Sequence, residues 1–266
     1  MIARLLATLI ACIYALPAQA DILRLAVTTS FYNSGLSDVL LPEIALDTGL
    51  DLQLLVVGTG QAIRLGKAGD VDAILVHARA AEDAFVAEGY ATHRREIMFN
   101  DFVILGPTQD PAALQSAKTA VEALVNIAQS QAVFVSRGDD SGTHKRERSL
   151  WQQSGITPTA PWYRALGSGI GATLNTAAAM GAYTLSDRAS WLNFGNNDGL
   201  AILFAGDDAL QNQYAYLPIN PARYAHVNHN GALALEDWLV SERGQSLIAN
   251  YSIDGEMLFT PNAKDR

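Results

Sequence analysis

Cysteine is almost missing from this chain: of 266 residues, Cys12 alone carries a thiol. A single thiol forms no intramolecular disulfide, and a Cys-ligated metal centre is excluded. Charge is sparse too, at 17% of residues, and one-sided, with 27 Asp and Glu against 18 Lys and Arg for a formal charge of −9. An acidic body argues against nucleic acid and anionic membrane as partners. Beyond the first twenty residues no apolar run is long enough to span a bilayer. Low-complexity tracts, blocks of like charge and internal repeats are also missing. The five histidines form no H-E-x-x-H pair and there is no G-x-S-x-G elbow. His226 and His229 read as loop or helix-cap residues rather than metal ligands. Gly195-Asn196-Asn197-Asp198-Gly199 has turn chemistry without the spacing of a calcium loop.

What is present begins at the amino terminus. Arg4 precedes an apolar run from Leu5 to Leu16, then Pro17 and Ala18-Gln19-Ala20 before Asp21. One cation, a short apolar core and a small-x-small site read as a secretory signal peptide over residues 1–20, which places the protein in the periplasm. Leu9-Ile10-Ala11-Cys12 offers a second cleavage point of lipoprotein type, but it leaves only Leu5 to Leu9 as the apolar core. Cleavage after Ala20 leaves 246 of the 266 residues, no thiol nucleophile, and a charge of −10 because only Arg4 is lost. That length is enough for one large domain or for two lobes with cores of their own.

Strand and helix signals alternate from residue 22 onward, which predicts α/β layers. Ile22 to Val27 reads as a strand ending in Thr28-Thr29-Ser30. Leu36, Val39, Leu40 and Ile44 recur at helical spacing, capped by Asn33 or Ser34 and stopped by Gly49, with Pro42 expected to kink or divide the helix. Leu52 to Val57 feeds Gly58-Thr59-Gly60 and a short helix, and Ala73 to Val76 ends at His77 before another. Ile97 to Gly106 reads as a longer strand that leaves the first lobe, and Tyr214 to Pro218 as a strand that returns to it. Two such crossings predict a two-strand hinge between a lobe of residues 21–105 plus 215–266 and a lobe of residues 106–214. The ligand site is expected in the cleft between them.

Ser136-Arg137-Gly138-Asp139-Asp140-Ser141-Gly142-Thr143-His144 carries the most chemistry. It follows an apolar run, Ala132 to Val135, and opens a helix-period segment from Thr143 to Gln153. A helix start offers unpaired N–H groups and the positive end of the macrodipole, hydroxyls add donors, and Arg137 supplies a cationic fork. That set suits a small tetrahedral anion. A plainer reading is an N-capped surface helix with Arg137 paired to Asp139 or Asp140. Hydroxylic residues at other strand-to-helix junctions, Thr28-Thr29-Ser30 and Thr59, weigh toward a ligand, because open α/β sheets bind at strand carboxyl ends. Gly167-Ser168-Gly169-Ile170-Gly171-Ala172 matches a dinucleotide fingerprint with Asp187 twenty residues on, but it sits mid-chain behind a weak strand. No cofactor is expected.

The sequence resembles the periplasmic tungstate-binding proteins of TupA type. Carrying the resemblance are Leu25-Ala26-Val27-Thr28-Thr29-Ser30, Val57-Gly58-Thr59-Gly60-Gln61-Ala62, the Gly69 to Ala78 run, Asn100-Asp101-Phe102-Val103, the Arg137 segment, Gly171-Ala172-Thr173-Leu174-Asn175 and Tyr183-Thr184-Leu185-Ser186-Asp187-Arg188. Val27 and Phe31 stand where that group more often has Thr. The resemblance implies the two-lobed type II periplasmic binding-protein fold and delivery of tungstate to the membrane permease of an ABC importer. Related phosphate-binding proteins share an Arg-x-Asp-x-Ser-Gly-Thr pattern, so the motif reads as tetrahedral oxyanion before it reads as tungstate.

Tungstate at neutral pH has no proton to donate, so its site should offer donors only. Thr29, Ser30, Thr59, Arg137, Ser141, Gly142 and Thr143 are the expected oxyanion ligands, with Thr173 a weaker candidate. Asp139 and Asp140 are expected to orient Arg137 or the loop, His144 to cap or face solvent, and His77 is open between structure and function. A monomeric receptor is the favoured reading. The rivals are a molybdate or phosphate receptor of the same fold and an exported hydrolase using Ser141 or His77.

Overall fold

The computed structural model describes residues 21–196 and 199–264. The predicted signal peptide, and Asn197 and Asp198 of the predicted turn, lie outside the described residues. Strand β1 (Asp21–Thr28) is flanked in parallel by β2 (Leu50–Val57) and β3 (Ala73–Val76). Helices α1 (Thr29–Asn33), α2 (Leu36–Thr48), α3 (Thr59–Ala68) and α4 (Arg79–Ala87) fill the crossovers. β9 (Gln211–Pro218) runs antiparallel to β3, and the first half of the long β4 (Arg95–Pro107) antiparallel to β9.

β4 then changes partners. Asp101 still faces Gln211, whereas Phe102 faces Asp187 at the end of β7 (Thr184–Asp187). Its last residues also pair with β8 (Leu200–Phe204). Beside β7 lies β5 (Phe134–Ser136), joined by Val135 N–H to Tyr183 O at 2.8 Å, and β6 (Tyr163–Ala165) runs parallel to β5. One strand thus belongs to two sheet regions, and the chain returns to the first at Gln211. These positions lie a few residues before the crossings read from sequence at 105/106 and 214/215. The polar pair Asn100-Asp101 interrupts the apolar run of β4 at the exchange, between Ile97 to Phe99 on one side and Phe102 to Leu105 on the other.

The period-2 alternation of strand side chains gives each region two apolar faces. Leu23, Leu25 and Val27 meet Leu36, Leu40 and Ile44 of α2 and Leu235 and Leu239 of α9 (His229–Val240). Ala26, Ile74 and Val76 face Ala62 and Phe85 on the other side. In the second region Phe102 and Ile104 pack with Leu124 and Ile127 of α5 (Ala120–Ser130) and Leu150 and Trp151 of α6 (Gly142–Gln153). Val103 and Leu105 pack with Ile170, Leu174 and Ala177 of α7 (Ile170–Met180). Val27 is fully buried, and Phe31 is buried near Tyr214, with ring centroids 6.4 Å apart. His226 and His229 serve locally: His226 Nε2 bonds to Gly69 O at 2.9 Å and His229 opens α9.

Pro42 does not divide α2, which is continuous through it with Gly35 as its N-cap. Pro42 and Asp38 are both exposed, so the carbonyl one turn back that loses its bond is on the wet side of the helix. An interior Pro costs about 3 kcal/mol relative to Ala, and stiffening of the unfolded chain offsets up to about 1 kcal/mol of it. Pro42→Ala is therefore expected to raise the unfolding free energy by about 2 kcal/mol in urea denaturation.

Buried Glu147 ties β5, β6 and α6 together. It accepts from Ser136 Oγ and Tyr163 OH, each at 2.7 Å, and from Trp151 Nε1 at 3.3 Å. Burial outweighs these bonds and pushes its carboxyl up to about 7. A group raised above its unfolded value binds more protons in the folded state, so stability is lost as pH rises from about 4.5 through about 7. The loss should reach about 3 kcal/mol at its full extent. Glu147→Gln is expected to flatten that part of the stability-versus-pH curve; a curve unchanged in shape would refute the assignment.

Candidate functional site

Strand ends and helix starts meet where the two sheet regions adjoin. Arg137 follows β5 directly and is 1% exposed. Its guanidinium holds Asp139 Oδ2 through Nη2 at 2.5 Å and Nε at 3.1 Å. The same group reaches Thr29 Oγ1 at 3.4 Å and Thr143 Oγ1 at 3.5 Å. Thr29 opens α1 and Thr143 lies in the first turn of α6, so Arg137 joins its own loop to a residue 108 positions away. Burial opposes the charge on Asp139, but Arg137 and the hydrogen bonds from Ser141 outweigh it and hold the carboxyl below its usual range.

The loop that aims Arg137 is built from turn chemistry. Gly138 and Asp140 both have positive φ, 63° and 59°. Asp139 Oδ1 accepts from Ser141 N–H at 3.2 Å, and Ser141 Oγ caps α6 by accepting from His144 N–H at 3.2 Å. His144 Nδ1 receives the Asp140 N–H at 3.1 Å, and Lys145 Nζ holds Asp140 Oδ1 at 2.5 Å. Asp140 is 61% exposed and His144 is spent on the loop, matching the supporting roles expected of both. The segment is a capped helix start with Arg137 paired to Asp139, as the plainer sequence reading has it, but Arg137 and the Ser141-Gly142-Thr143 turn are buried rather than on the surface.

The two regions touch closely here. A Cβ on Gly142 would overlap the ring of His77, which extends from the end of β3. A Cβ on Gly60 would overlap the Asp140 carboxylate. His77 also lies against Tyr214, with ring centroids 4.7 Å apart. Burial, then the charge of Arg137, pulls His77 down to about 3, so the ring is neutral at physiological pH. Its Nδ1 and the Thr59 Oγ1 are buried with no hydrogen-bond partner among the described residues.

Of the residues expected from sequence, Thr29, Arg137 and Thr143 are joined by hydrogen bonds. Ser141 and Gly142 form the same helix start, and Thr59 and Ser30 are buried at the starts of α3 and α1. Thr173 is buried but donates to Gly169 O within its own helix at 3.1 Å, and no hydrogen bond joins it to Arg137. Asp187 went unassigned in the sequence reading. It ends β7 and caps α8 (Arg188–Leu192), Oδ1 accepting from Ser190 N–H at 2.8 Å, and it is fully buried. Burial dominates and pushes its carboxyl upward, against the hydrogen bonds from Ser190, the charge of Arg137 and the Ser30 hydroxyl. A polar residue closing a strand just before a helix is the signal that could have found it.

This arrangement can bind an anion but is not set up to cleave one. Ser141 Oγ accepts a backbone N–H, His144 Nδ1 does the same, and His77 is too weak a base to activate a hydroxyl. Among the described residues no group of three or more His, Cys, Asp or Glu side chains could hold a metal ion, and no helix is long and apolar enough to cross a membrane.

Comparison with known proteins bears on the same site. The PBP superfamily domain matches residues 16–243. The tungstate-binding protein TupA of Peptoclostridium acidaminophilum is 46% identical over 90% of this chain and 85% of its own length. The solved structure of the tungstate-binding protein TupA from Desulfovibrio alaskensis G20 is 45% identical, covers 92% of this chain and all of its own, and superposes with a TM-score of 0.81. That of the tungstate ABC transporter from Geobacter sulfurreducens is 44% identical, covers 86% of this chain and 98% of its own, and gives 0.80. With that coverage and that agreement in fold, the chain belongs to the PBP superfamily and, within it, to the TupA family of solute-binding proteins with the type II periplasmic binding-protein fold.

Proposed function

We propose that this protein captures tungstate in the cradle around Arg137 and presents it to the membrane permease of an ABC importer. It does so as a monomer in the periplasm, exported by residues 1–20. It is a binding protein and not an enzyme. The observation that carries the reading is Arg137 itself: a guanidinium buried between two sheet regions and reaching hydroxyls of both, Thr29 and Thr143. A dianion loses much hydration on entering such a place, and only charge-assisted bonds in a closed site offset that loss. Thr29, Ser30, Thr59, Arg137 and the Ser141-Gly142-Thr143 turn supply them, and Thr173 would join only by giving up its bond to Gly169 O. Residues 21–105 plus 215–266 and residues 106–214 act as the two lobes, hinged at β4 and at the chain leading into β9.

Selectivity follows from size and from protonation. Sulfate is smaller than tungstate, and hydrogen phosphate carries a proton that needs an acceptor. Molybdate nearly shares the shape and charge of tungstate and is expected to compete.

Calorimetry of the protein freed of anion should show one-to-one binding of tungstate, and of molybdate, with weak or no heat from phosphate and sulfate. Arg137→Ala removes at least one bond to a charged group and should weaken tungstate binding by roughly 100-fold or more. Unchanged affinity in that variant would sink the assignment of the site.

A further inference from the structure

A buried carboxyl is the least expected group to find beside an anion cradle, and Asp187 is one. It is 0% exposed, and its Oδ1 is committed to the cap of α8. Oδ2 is buried with no hydrogen-bond partner among the described residues. Ser30 faces this carboxyl from α1 and Arg137 from the β5 loop. Tyr214 faces it from β9, its hydroxyl kept neutral by burial. Arg188, next in sequence, turns away to Asp101, which it holds at 2.8 and 2.6 Å. Arg146 of α6 lies over Phe102, the residue opposite Asp187 in the β4–β7 register. His77 is neutral, and Asp139 already occupies Arg137.

The chemistry of the ligand sets the requirement. A tetrahedral dianion without protons accepts hydrogen bonds and donates none, so each contacting group must donate. An ionised carboxylate only accepts, and in a dry site it repels the anion. A neutral carboxylic acid donates. We propose that Asp187 is a further residue of the oxyanion site and enters the complex as the neutral acid, donating Oδ2–H to the bound anion, so that capture of tungstate takes up a proton from solvent. The carboxylate gains that proton, no other bond forms or breaks, and the dianion stays unprotonated. Burial favours the neutral acid already in the free protein, and the arriving charge favours it further. The proposal rests on the tungstate reading above and deepens it.

The test is calorimetry of tungstate binding in buffers of differing ionisation enthalpy, from about pH 6 to about pH 9, where the anion itself carries no proton. Uptake should approach about one proton per anion, and affinity should fall by up to about tenfold per pH unit, above the pKa of the free carboxyl. His144→Gln and Glu147→Gln each remove another nearby group able to take a proton near neutrality, Glu147 being the buried carboxyl bonded to Ser136 beside Arg137, and each should leave the uptake in place. Asp187→Asn, which keeps a side chain able to cap α8, should abolish the uptake and the pH dependence, whatever its absolute affinity. As a readout on the unaltered protein, an infrared difference spectrum on adding tungstate at the alkaline end should gain a protonated-carboxyl band. Binding with no uptake across the range, or uptake lost with His144 or Glu147 and kept without Asp187, overturns the proposal and leaves the receptor standing. No tungstate binding at all overturns the receptor reading instead.

Discussion

A guanidinium that is 1% exposed is the constraint around which the rest of this molecule is arranged. Burying a charge is unfavourable unless it is paired and hydrogen-bonded, and Arg cannot escape by losing its proton. Asp139 supplies the pairing and takes the Nε and Nη2 donors. The hydroxyls of Thr29 and Thr143, at 3.4 and 3.5 Å, are long contacts. Much of the donor capacity of the fork is therefore directed into the junction of the two regions, where an oxyanion is the natural acceptor. The positive φ values at Gly138 and Asp140, the Ser141 cap and the missing side chain at Gly142 all serve to deliver Arg137 there.

The topology supplies the remaining donors. Parallel β1, β2 and β3 end on the same edge, so the starts of α1 and α3 and the ring of His77 collect there. The second region contributes β5 and β7, whose ends carry Arg137 and Asp187. A single strand, β4, belongs to both sheets, and the partner exchange between Asp101 and Phe102 lies beside the Arg188–Asp101 pair. A site divided between two regions joined this way can be dry when they meet and open when they part, which a receptor that must both capture and release requires.

Much of this was legible along the chain. The alternation of strands and helices, the hydroxylic strand ends and the Arg137 loop all show in local pattern, because caps, turns and period-2 burial are decided within a few residues. Other features were not. Pro42 leaves α2 whole because its exposed face keeps the disrupted carbonyl in water, and exposure depends on what the helix packs against. The exchange of partners along β4 coincides with the polar pair Asn100-Asp101, but nothing local says which strands lie on either side of it. Thr173 carries the residue type of a ligand yet spends its hydroxyl on its own helix.

What the sequence determined by itself is the supply of chemistry: an α/β chain with no thiol beyond Cys12 and donors concentrated at strand ends. Short-range sterics and hydrogen bonding are enough to specify that much. What only the tertiary structure decided is who meets whom. Thr29 lies 108 residues from Arg137, and Ser30 more than 150 from Asp187, so their meeting depends on sheet order and on two regions closing together. The same packing removes water from Asp187 and His77 and sets their protonation, a property of surroundings that no local pattern records.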